Sequence, residues 1–280
     1  MKIKEFLKLA RIEHAIFLAL AVIVGEVVVT SRIELLPSLF GVLSVFFIGI
    51  GSFTLNDFLD YKTDKKNKRK DRPLVNGSIS MWSAIAAAKV CFPLGILFAL
   101  LINMNCFWIA AIFSILAVAY SYILKKILLL GNAFVAFSMA VPFLFGNYIV
   151  SNQIAVSIQI LSSIAFLTGL GREIIKSIQD MTGDKKYGRW TLPIALGKKL
   201  PLAFAIIYIL LAVVMSFIPF LVLPKFYHNI FYLAPIIVTD MLLLKSAYLS
   251  AHLKKLEKVR KMSLLAIGIG LIGFLLGALV

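Results

Sequence analysis

Carboxylate side chains are scarce in this sequence, and most of them are gathered at two places. The 280-residue chain has 13 Asp and Glu residues against 29 Lys and Arg residues. One group of carboxylates lies in residues 57–71 and the other in residues 173–184. Neighbouring carboxylates repel one another unless a cation lies among them, and magnesium prefers such oxygen ligands while it bridges to substrate phosphates. The two groups therefore predict metal-assisted phosphate chemistry.

The first group has the spacing of one helix face. A helix turns by about 100° per residue, so positions 56, 57, 60 and 64 fall within an arc of roughly 100°. These positions hold Asn56, Asp57, Asp60 and Asp64. We expect the four side chains to project together from the end of a helix and to offer oxygen ligands to a metal.

The second group repeats at steps of four residues, which also places its members on one helix face. Along that face two cations come first and two carboxylates follow: Arg172, Lys176, Asp180 and Asp184. Two such groups would hold one diphosphate through metal ions.

A simpler interpretation is that these are solvated loops in which aspartates balance lysines. That interpretation leaves the helical phase of the aspartates unexplained. It also leaves unexplained why basic residues follow both groups, namely Lys68, Arg69 and Arg72 after the first and Lys185, Lys186 and Arg189 after the second.

The rest of the sequence is made of apolar segments that must position these groups. Apolar residues form 61% of the chain and the mean hydropathy is +0.97, so most of the surface is suited to lipid. A bilayer core needs about 20 apolar residues per helix. Nine segments meet this length: 13–31, 35–57, 81–102, 105–124, 128–150, 154–176, 201–222, 229–249 and 262–280. The sequence predicts an all-α membrane protein with a single domain over residues 1–280 and a retained first span.

The distribution of basic residues predicts the orientation, because cytoplasmic loops carry an excess of Lys and Arg. If the N-terminus is cytoplasmic, Arg32 and Lys225 alone fall on the outer side. The aspartate-rich loops after the second and sixth spans are then cytoplasmic. We expect the net charge of +16 to attract anionic lipid headgroups and phosphate-bearing substrates at this face of the cell membrane. Nucleic acid is a poor partner, because no soluble domain presents aromatic residues to bases.

Four residues inside the spans have other interpretations. The two cysteines, Cys91 and Cys106, lie far apart in apolar runs, which excludes a disulfide framework and a zinc site. Glu26 lies near the outer end of its span, where we expect it to reach the interface. Asp240 lies deeper, and we expect it to be protonated or hydrogen-bonded between helices, in a structural and not a catalytic role.

Two stretches resemble the aspartate signatures of the UbiA-type intramembrane prenyltransferases. The first is Asn56-Asp57-x-x-Asp60-x-x-x-Asp64 followed by Arg72-Pro73-Leu74, and the second is Asp180-Met181-Thr182-Gly183-Asp184 continuing to Thr191-Leu192-Pro193. The resemblance covers nearly the whole chain and implies nine spans with both signatures on the cytoplasmic side. Where family members often carry Asp and Glu, this chain has Ser177 and Gln179, so no metal ligand is expected there.

The resemblance extends to two further regions. Tyr122 and Lys126 are similar to a Tyr-x-x-x-Lys element, which implies contact with the diphosphate or stabilisation of a carbocation. An interfacial tyrosine with a lysine that reaches toward water is the alternative. Arg11 and His14 match a substrate-contact region, although an interfacial position would also explain His14.

Within this superfamily, the run Gly171-Arg172-Glu173-Ile174-Ile175-Lys176 and the segment around Asp184 are most similar to archaeal digeranylgeranylglyceryl phosphate synthases. That resemblance implies magnesium-dependent transfer of a geranylgeranyl group from geranylgeranyl diphosphate to the glycerol hydroxyl of geranylgeranylglyceryl phosphate. The expected magnesium ligands are Asn56, Asp57, Asp60, Asp64, Asp180 and Asp184. The expected substrate contacts are Arg72, Lys176, Lys185, Arg172, Arg11, His14 and Lys68, and Tyr122 and Lys126 join the aspartates as catalytic candidates.

Three other functions remain open at this point. A prenyltransferase that modifies an aromatic quinone precursor would use the same metal site. An anion transporter would also have a basic inner face, but its charged sites should lie near mid-membrane. A phosphotransferase that uses a CDP-alcohol needs an Asp-Gly and Ala-Arg signature that the sequence lacks. The expected partners are an isoprenyl diphosphate, a lipid phosphate and membrane lipids, with no obligate protein partner.

Overall fold

The computed structural model describes residues 3–186, 188, 190–251 and 256–280, and this part of the chain contains helices and no strands. The helices are α1 (Ile3–Leu9), α2 (Ile12–Thr30), α3 (Leu35–Lys66), α4 (Met81–Leu100), α5 (Met104–Tyr122), α6 (Leu130–Val150), α7 (Val156–Lys186), α8 (Leu192–Leu196), α9 (Lys199–Val222), α10 (Ile230–Ala251) and α11 (Leu256–Leu279). A 3-10 turn at Leu124–Lys126 separates α5 from α6.

Within the described residues, nine helices are long and apolar enough to cross a membrane, and these are all the helices except α1 and α8. Each coincides with one of the predicted segments, so for the described residues the prediction of an all-α protein with nine candidate spans is confirmed. Large apolar side chains such as Trp108, Ile115, Val214 and Met241 are exposed on these helices. Exposed apolar residues at this density are suited to contact with lipid.

Two helices run further than the predicted spans. The segments predicted to end at residues 57 and 176 continue as α3 to Lys66 and as α7 to Lys186. Asp60, Asp64, Asp180 and Asp184 therefore stand on helices and not in loops, while Asp71 lies in the connection after α3. No Pro interrupts either extension, and each helix has two lysines in its last turn, where cations favour the negative end of the helix dipole.

The short helices α1 and α8 were not predicted, since neither is long enough to produce a clear hydropathy signal. Each is held by burial of apolar side chains. Leu9 of α1 packs with Leu74, Ile79 and Ala84, while Leu192 of α8 joins the core beside α7 and α9.

The chain divides into two compact units. The first comprises residues up to Ile23 together with Glu34–Leu124. In it α3 packs along α4 and α5. One apolar cluster joins Ala10, Ile50 and Cys91, with Phe6 and Phe47 against it. The core of this unit thus fixes α1 and the beginning of α2 beside the middle of α3.

The second unit comprises Val24–Ile33 and Lys125–Val280. Its main core joins α7, α9, α10 and α11 through side chains that include Ile174, Ile209, Leu243 and Val259. The backbone of α9 approaches α7 closely at Gly171, where a Cβ atom would lie 2.9 Å from the carbonyl oxygen of Ala205. A glycine is required here because a backbone carbonyl cannot move aside as a flexible side chain does.

Three acidic side chains are buried in the second unit, namely Glu26, Asp240 and Glu173. Glu26 is 0% exposed, so the expectation that it reaches the interface is wrong. The reason is that a Cβ atom at the neighbouring Gly25 would collide with the backbone of Phe143, so α2 and α6 lie too close for lipid or water to surround the next residue. Asp240 accepts a hydrogen bond from Ser216 Oγ at 2.8 Å, which confirms its predicted bond between helices.

Candidate active site

The carboxylates of α3 lie at the end of this helix that the sequence predicts to be cytoplasmic. Asp57 is the most buried acid at this end. Asp57 is 4% exposed. Arg11 donates to its Oδ1 at 2.8 Å, and Arg72 donates to Oδ1 at 2.8 Å and to Oδ2 at 3.0 Å. Both oxygens of this carboxylate are therefore occupied by guanidinium groups. This geometry gives Asp57 a role in holding two arginines, while its expected part in metal binding remains a prediction.

Arg11 lies at the junction of α1 and α2 with a φ of 48°, a left-handed conformation that costs a non-glycine residue of the order of 1 kcal/mol. Its guanidinium carbon lies 4.9 Å from the ring centre of Phe53, one turn before Asp57. The ring of His14 also approaches Phe53, at 5.9 Å between ring centres. Both residues expected to contact substrate are thus gathered against the same face of α3.

Arg72 returns to α3 from the connection between α3 and α4. Besides its bonds to Asp57, its Nε lies 3.8 Å from Asp64 Oδ2. The charges of Asp57 and Asp60 both act on Asp64, so the three carboxylates lie near one another as the helical phase predicts. Asn56, Asp60 and Asp64 are each partly accessible. The predicted face therefore exists, with its most buried acid already paired.

Asp71 is engaged elsewhere, although it belongs to the same stretch of sequence. Arg69 donates to both its carboxylate oxygens, at 2.9 and 2.8 Å, and this pairing lowers the pKa of Asp71 to about 2. Lys68 is exposed and has a φ of 53° at the turn that ends α3. The Arg69–Asp71 pair stabilises the connection between α3 and α4. Arg72 is not part of this pair and donates to Asp57 of α3.

On α7, a buried acid is surrounded by cations. Glu173 is 5% exposed. Arg172 donates to Glu173 Oε1 and Lys176 donates to Glu173 Oε2, both at 3.1 Å. Two of the predicted substrate contacts are thus bound to a carboxylate, Glu173, that had no predicted role.

The last two turns of α7 carry Asp180, which is exposed, and Asp184, which is partly accessible. Beyond them Lys185 borders an open depression of about 460 Å³ whose other lining residues are Met181, Thr182, Lys186 and Lys198. Lys198 immediately precedes α9, so lysines from the end of α7 and from the residue before α9 meet around this depression. Arg189, which the sequence also places after this signature, lies outside the described residues.

The remaining predicted positions are Tyr122 and Lys126, at the end of α5 and in the connection that follows it. Tyr122 ends α5 and is 50% exposed, while Lys126 ends the 3-10 turn and is exposed. Ser177, where family members often carry an acid, accepts a hydrogen bond from Asn132 at 2.8 Å. That bond fits a packing role for Ser177.

The side chains at the end of α3 and those at the end of α7 are each of a kind that suits magnesium. In the described part of the chain, no three side chains among His, Cys, Asp and Glu form a complete metal cage. Magnesium rarely uses such a cage, because it usually keeps several waters and binds through one or two carboxylates together with substrate phosphates. Accessible carboxylates beside cations, as with Asp60, Asp64, Asp180 and Asp184, are compatible with that mode of binding.

Two features of the site escaped the sequence analysis. One is the pairing of Asp57 with Arg11 and Arg72, which are 46 and 15 residues away. The other is Arg260 of α11, whose charge acts on both Arg172 and Glu173. The available signal was the presence of Glu173 within a predicted span, since an acid at such a position needs a partner.

The chain matches the model of the UbiA prenyltransferase family over residues 15–268. A digeranylgeranylglyceryl phosphate synthase from Archaeoglobus fulgidus is 38% identical over 287 aligned residues, which cover 99% of this chain and 97% of that protein. The enzyme of the same name from Pyrococcus furiosus is 33% identical, and the alignment covers 100% of this chain and 99% of that protein.

Solved structures agree with these matches. A structure of digeranylgeranylglyceryl phosphate synthase in membranes has a TM-score of 0.78 at 32% identity, with 99% of each chain covered. A UbiA homologue from Archaeoglobus fulgidus, solved with geranyl diphosphate and Mg²⁺, has the same fold, with a TM-score of 0.67 at 20% identity; 96% of this chain and 99% of that chain are covered. The chain therefore belongs to the UbiA prenyltransferase family and is a multi-pass intramembrane prenyltransferase.

Proposed function

We propose that this chain transfers a geranylgeranyl group from geranylgeranyl diphosphate to the glycerol hydroxyl of geranylgeranylglyceryl phosphate. The observation that carries the proposal is the pair of long helices, α3 and α7, whose ends bear carboxylates phased on one face with cations beside them. The name of the relatives that align over nearly the whole chain supports the choice of donor and acceptor.

We propose Mg²⁺ as the cofactor, with Asn56, Asp60, Asp64, Asp180 and Asp184 as its ligands and Asp57 assisting through the arginines that it holds. Magnesium bound there would supply charge neutralisation for the leaving diphosphate. Arg72 and Lys185 contact the diphosphate oxygens directly. A guanidinium group has five N–H donors, so the bonds from Arg72 to Asp57 leave others for a phosphate.

In the proposed reaction, the bond between the prenyl C1 carbon and the diphosphate oxygen breaks, and diphosphate leaves with the electron pair. The glycerol hydroxyl oxygen then forms an ether bond to that carbon and releases its proton to the medium. Tyr122 and Lys126 stabilise the developing charges on carbon and on diphosphate, respectively. Arg11, His14 and Lys68 contribute to substrate binding near α3.

We further propose that the N-terminus and the carboxylate-bearing ends of α3 and α7 face the cytoplasm of the cell. The support is that every basic residue except Arg32 and Lys225 belongs to one side when the nine spans alternate. We also propose that residues 1–280 act as one prenyltransferase domain, since the family model runs across both compact units.

The first experiment supplies the purified protein with Mg²⁺ and geranylgeranyl diphosphate, and with either geranylgeranylglyceryl phosphate or 4-hydroxybenzoate as acceptor. Products are identified by mass spectrometry. Asp60→Ala and Asp184→Ala remove proposed ligands, and we expect each to reduce turnover by at least about 100-fold, since each removes transition-state charge stabilisation. Glu257→Ala is the matched control, because it removes an exposed carboxylate that pairs with Lys261 on the surface of α11.

An ether product that requires Asp60 and Asp184 supports the proposal. A prenylated 4-hydroxybenzoate without an ether product would keep the metal chemistry and replace the acceptor by an aromatic one. Absence of any product and of any diphosphate release would contradict the proposal.

A further inference from the structure

The buried acid of α7 is outnumbered by cations. Glu173 accepts from Arg172 and Lys176 at 3.1 Å each, and Arg260 of α11 adds a third positive charge that acts on the same carboxylate. We call Arg172, Glu173, Lys176 and Arg260 the arginine cluster. With three cations and one carboxylate, the cluster carries a net charge of about +2, assuming the usual ionisation of these side chains.

The packing of α11 brings Arg260 to this place. Its neighbour Val259 is 1% exposed and belongs to the same apolar core as Ile174 and Ile178 of α7. The first turns of α11 therefore lie against α7, and Arg260, the residue after Val259, lies close enough for its charge to act on Arg172 and Glu173. The cluster is thus built from two helices of one unit, and its geometry depends on their core and not on a surface loop.

Two of the hydrogen-bond donors in the cluster are buried and unused. The Nε atoms of Arg172 and Arg260 are inaccessible and have no hydrogen-bond partner among the described residues. A buried polar group without a partner is destabilising, and buried cations in excess of carboxylates are more so. An anion bound at the cluster would offset both.

The cluster is also accessible from one side. The side chain of Lys176 is 40% exposed, whereas that of Arg172 is 13% exposed. Lys176 precedes Asp180 by four residues, about 6 Å along a helix axis. A ligand can therefore reach the cluster from the same end of α7 that carries the proposed metal ligands.

We infer that the arginine cluster binds the phosphate group of the lipid acceptor, with Glu173 as a positioning residue. This inference rests on the function proposed above. The guanidinium forks of Arg172 and Arg260 match the geometry of a phosphate and would bind it directly. Glu173 is already occupied on both oxygens by cations, so it is not available to a metal. The cluster is thus suited to a phosphate bound without metal, which is what the acceptor presents, whereas the diphosphate of the donor is assigned to the carboxylates.

The test compares geranylgeranylglyceryl phosphate with its dephosphorylated analogue geranylgeranylglycerol as acceptors. In the wild type we expect a higher kcat/KM for the phosphorylated acceptor. In Arg260→Gln that preference should fall by about 10-fold or more, because a hydrogen bond to a charged group is lost. The KM for geranylgeranyl diphosphate and the turnover of the dephosphorylated acceptor should stay unchanged, and Arg260→Lys should restore part of the preference.

Lys261→Gln is the matched control. It removes the same charge one residue further along α11, where Lys261 is 80% exposed and pairs with Glu257. We expect it to leave the preference for the phosphorylated acceptor as in the wild type. Thermal unfolding of each variant in detergent checks that the fold is intact.

Three results would overturn the inference. Equal loss of turnover with both acceptors in Arg260→Gln would show a structural role, and a raised KM for geranylgeranyl diphosphate alone would assign the cluster to the donor. If the wild type makes no ether from either acceptor, the proposed function fails, and the arginine cluster is tested without turnover. Calorimetric titration with glycerol 1-phosphate measures phosphate binding directly. Equal binding by the wild type and by Arg260→Gln is the third result, and it would reject the inference.

Discussion

At the level of single residues, Asp57 differs from the other acids of α3 in what it touches. Asp60 and Asp64 are partly accessible, whereas Asp57 is buried and holds Arg11 and Arg72. The same side-chain type therefore serves two purposes within two turns of one helix. The buried acid organises the arginines, and the accessible acids are left to bind a cation.

Asp57→Asn should destabilise the protein by about 3 kcal/mol, because it removes the charge that compensates two partly buried guanidinium groups. The measurement is thermal or denaturant unfolding of the purified protein in detergent. The control is Asp71→Asn, which breaks an exposed pair with Arg69 and should change stability by at most about 1 kcal/mol. If both variants unfold alike, Asp57 has no such structural role.

At the level of secondary structure elements, α7 positions the site because it packs closely on α9. A Cβ atom at Gly171 would lie 2.9 Å from both the carbonyl oxygen of Ala205 and Cγ1 of Ile209. Arg172 is the next residue. The register of α7 against α9 therefore sets where the cations of the arginine cluster stand.

Gly171→Ala should destabilise the protein by about 1–3 kcal/mol, as overpacking of a close contact does. Gly183→Ala on the same helix is its control, because no atom lies within 4 Å of the added Cβ. That substitution should be neutral or should stabilise by up to about 1 kcal/mol, since Ala favours helix more than Gly. Unfolding temperatures measured side by side distinguish the two, and a Gly171→Ala variant as stable as Gly183→Ala would contradict the close approach of α7 and α9.

At the level of the whole molecule, the proposed orientation places the connections at one end of the spans in the cytoplasm and the connections at the other end outside the cell. Lys70 lies between α3 and α4, and Asn152 lies between α6 and α7. Both residues are exposed, whereas the native Cys91 and Cys106 are buried. Single cysteines at the two exposed positions, with both native cysteines replaced by Ala, can therefore report the side of the membrane.

In intact cells, an impermeant maleimide should label Asn152→Cys and leave Lys70→Cys unlabelled, because the positive-inside rule places the basic connection in the cytoplasm. Inverted vesicles should give the reverse pattern. Labelling of Lys70→Cys in intact cells would place the carboxylates of α3 on the outer face and would overturn the proposed topology.

The sequence by itself determined the nine spans, the helical phase of the aspartates and the resemblance to the family. These properties are local: a span depends on about 20 consecutive residues, and the phase of Asp57, Asp60 and Asp64 depends on one helix. Local patterns also predicted that Asp240 needs a partner, although they did not name Ser216.

Only the tertiary structure decided which charges meet. Arg11 and Asp57 are 46 residues apart in the chain, and the charge of Arg260 acts on Arg172 because Val259 packs in the same core as Ile174 of α7. The burial of Glu26 could not be predicted from the sequence either, since this residue is enclosed by the close approach of α2 and α6 at Gly25. The physical reason is that helix packing fixes the neighbours and the solvent exposure of a charged group, and neither depends on its sequence position.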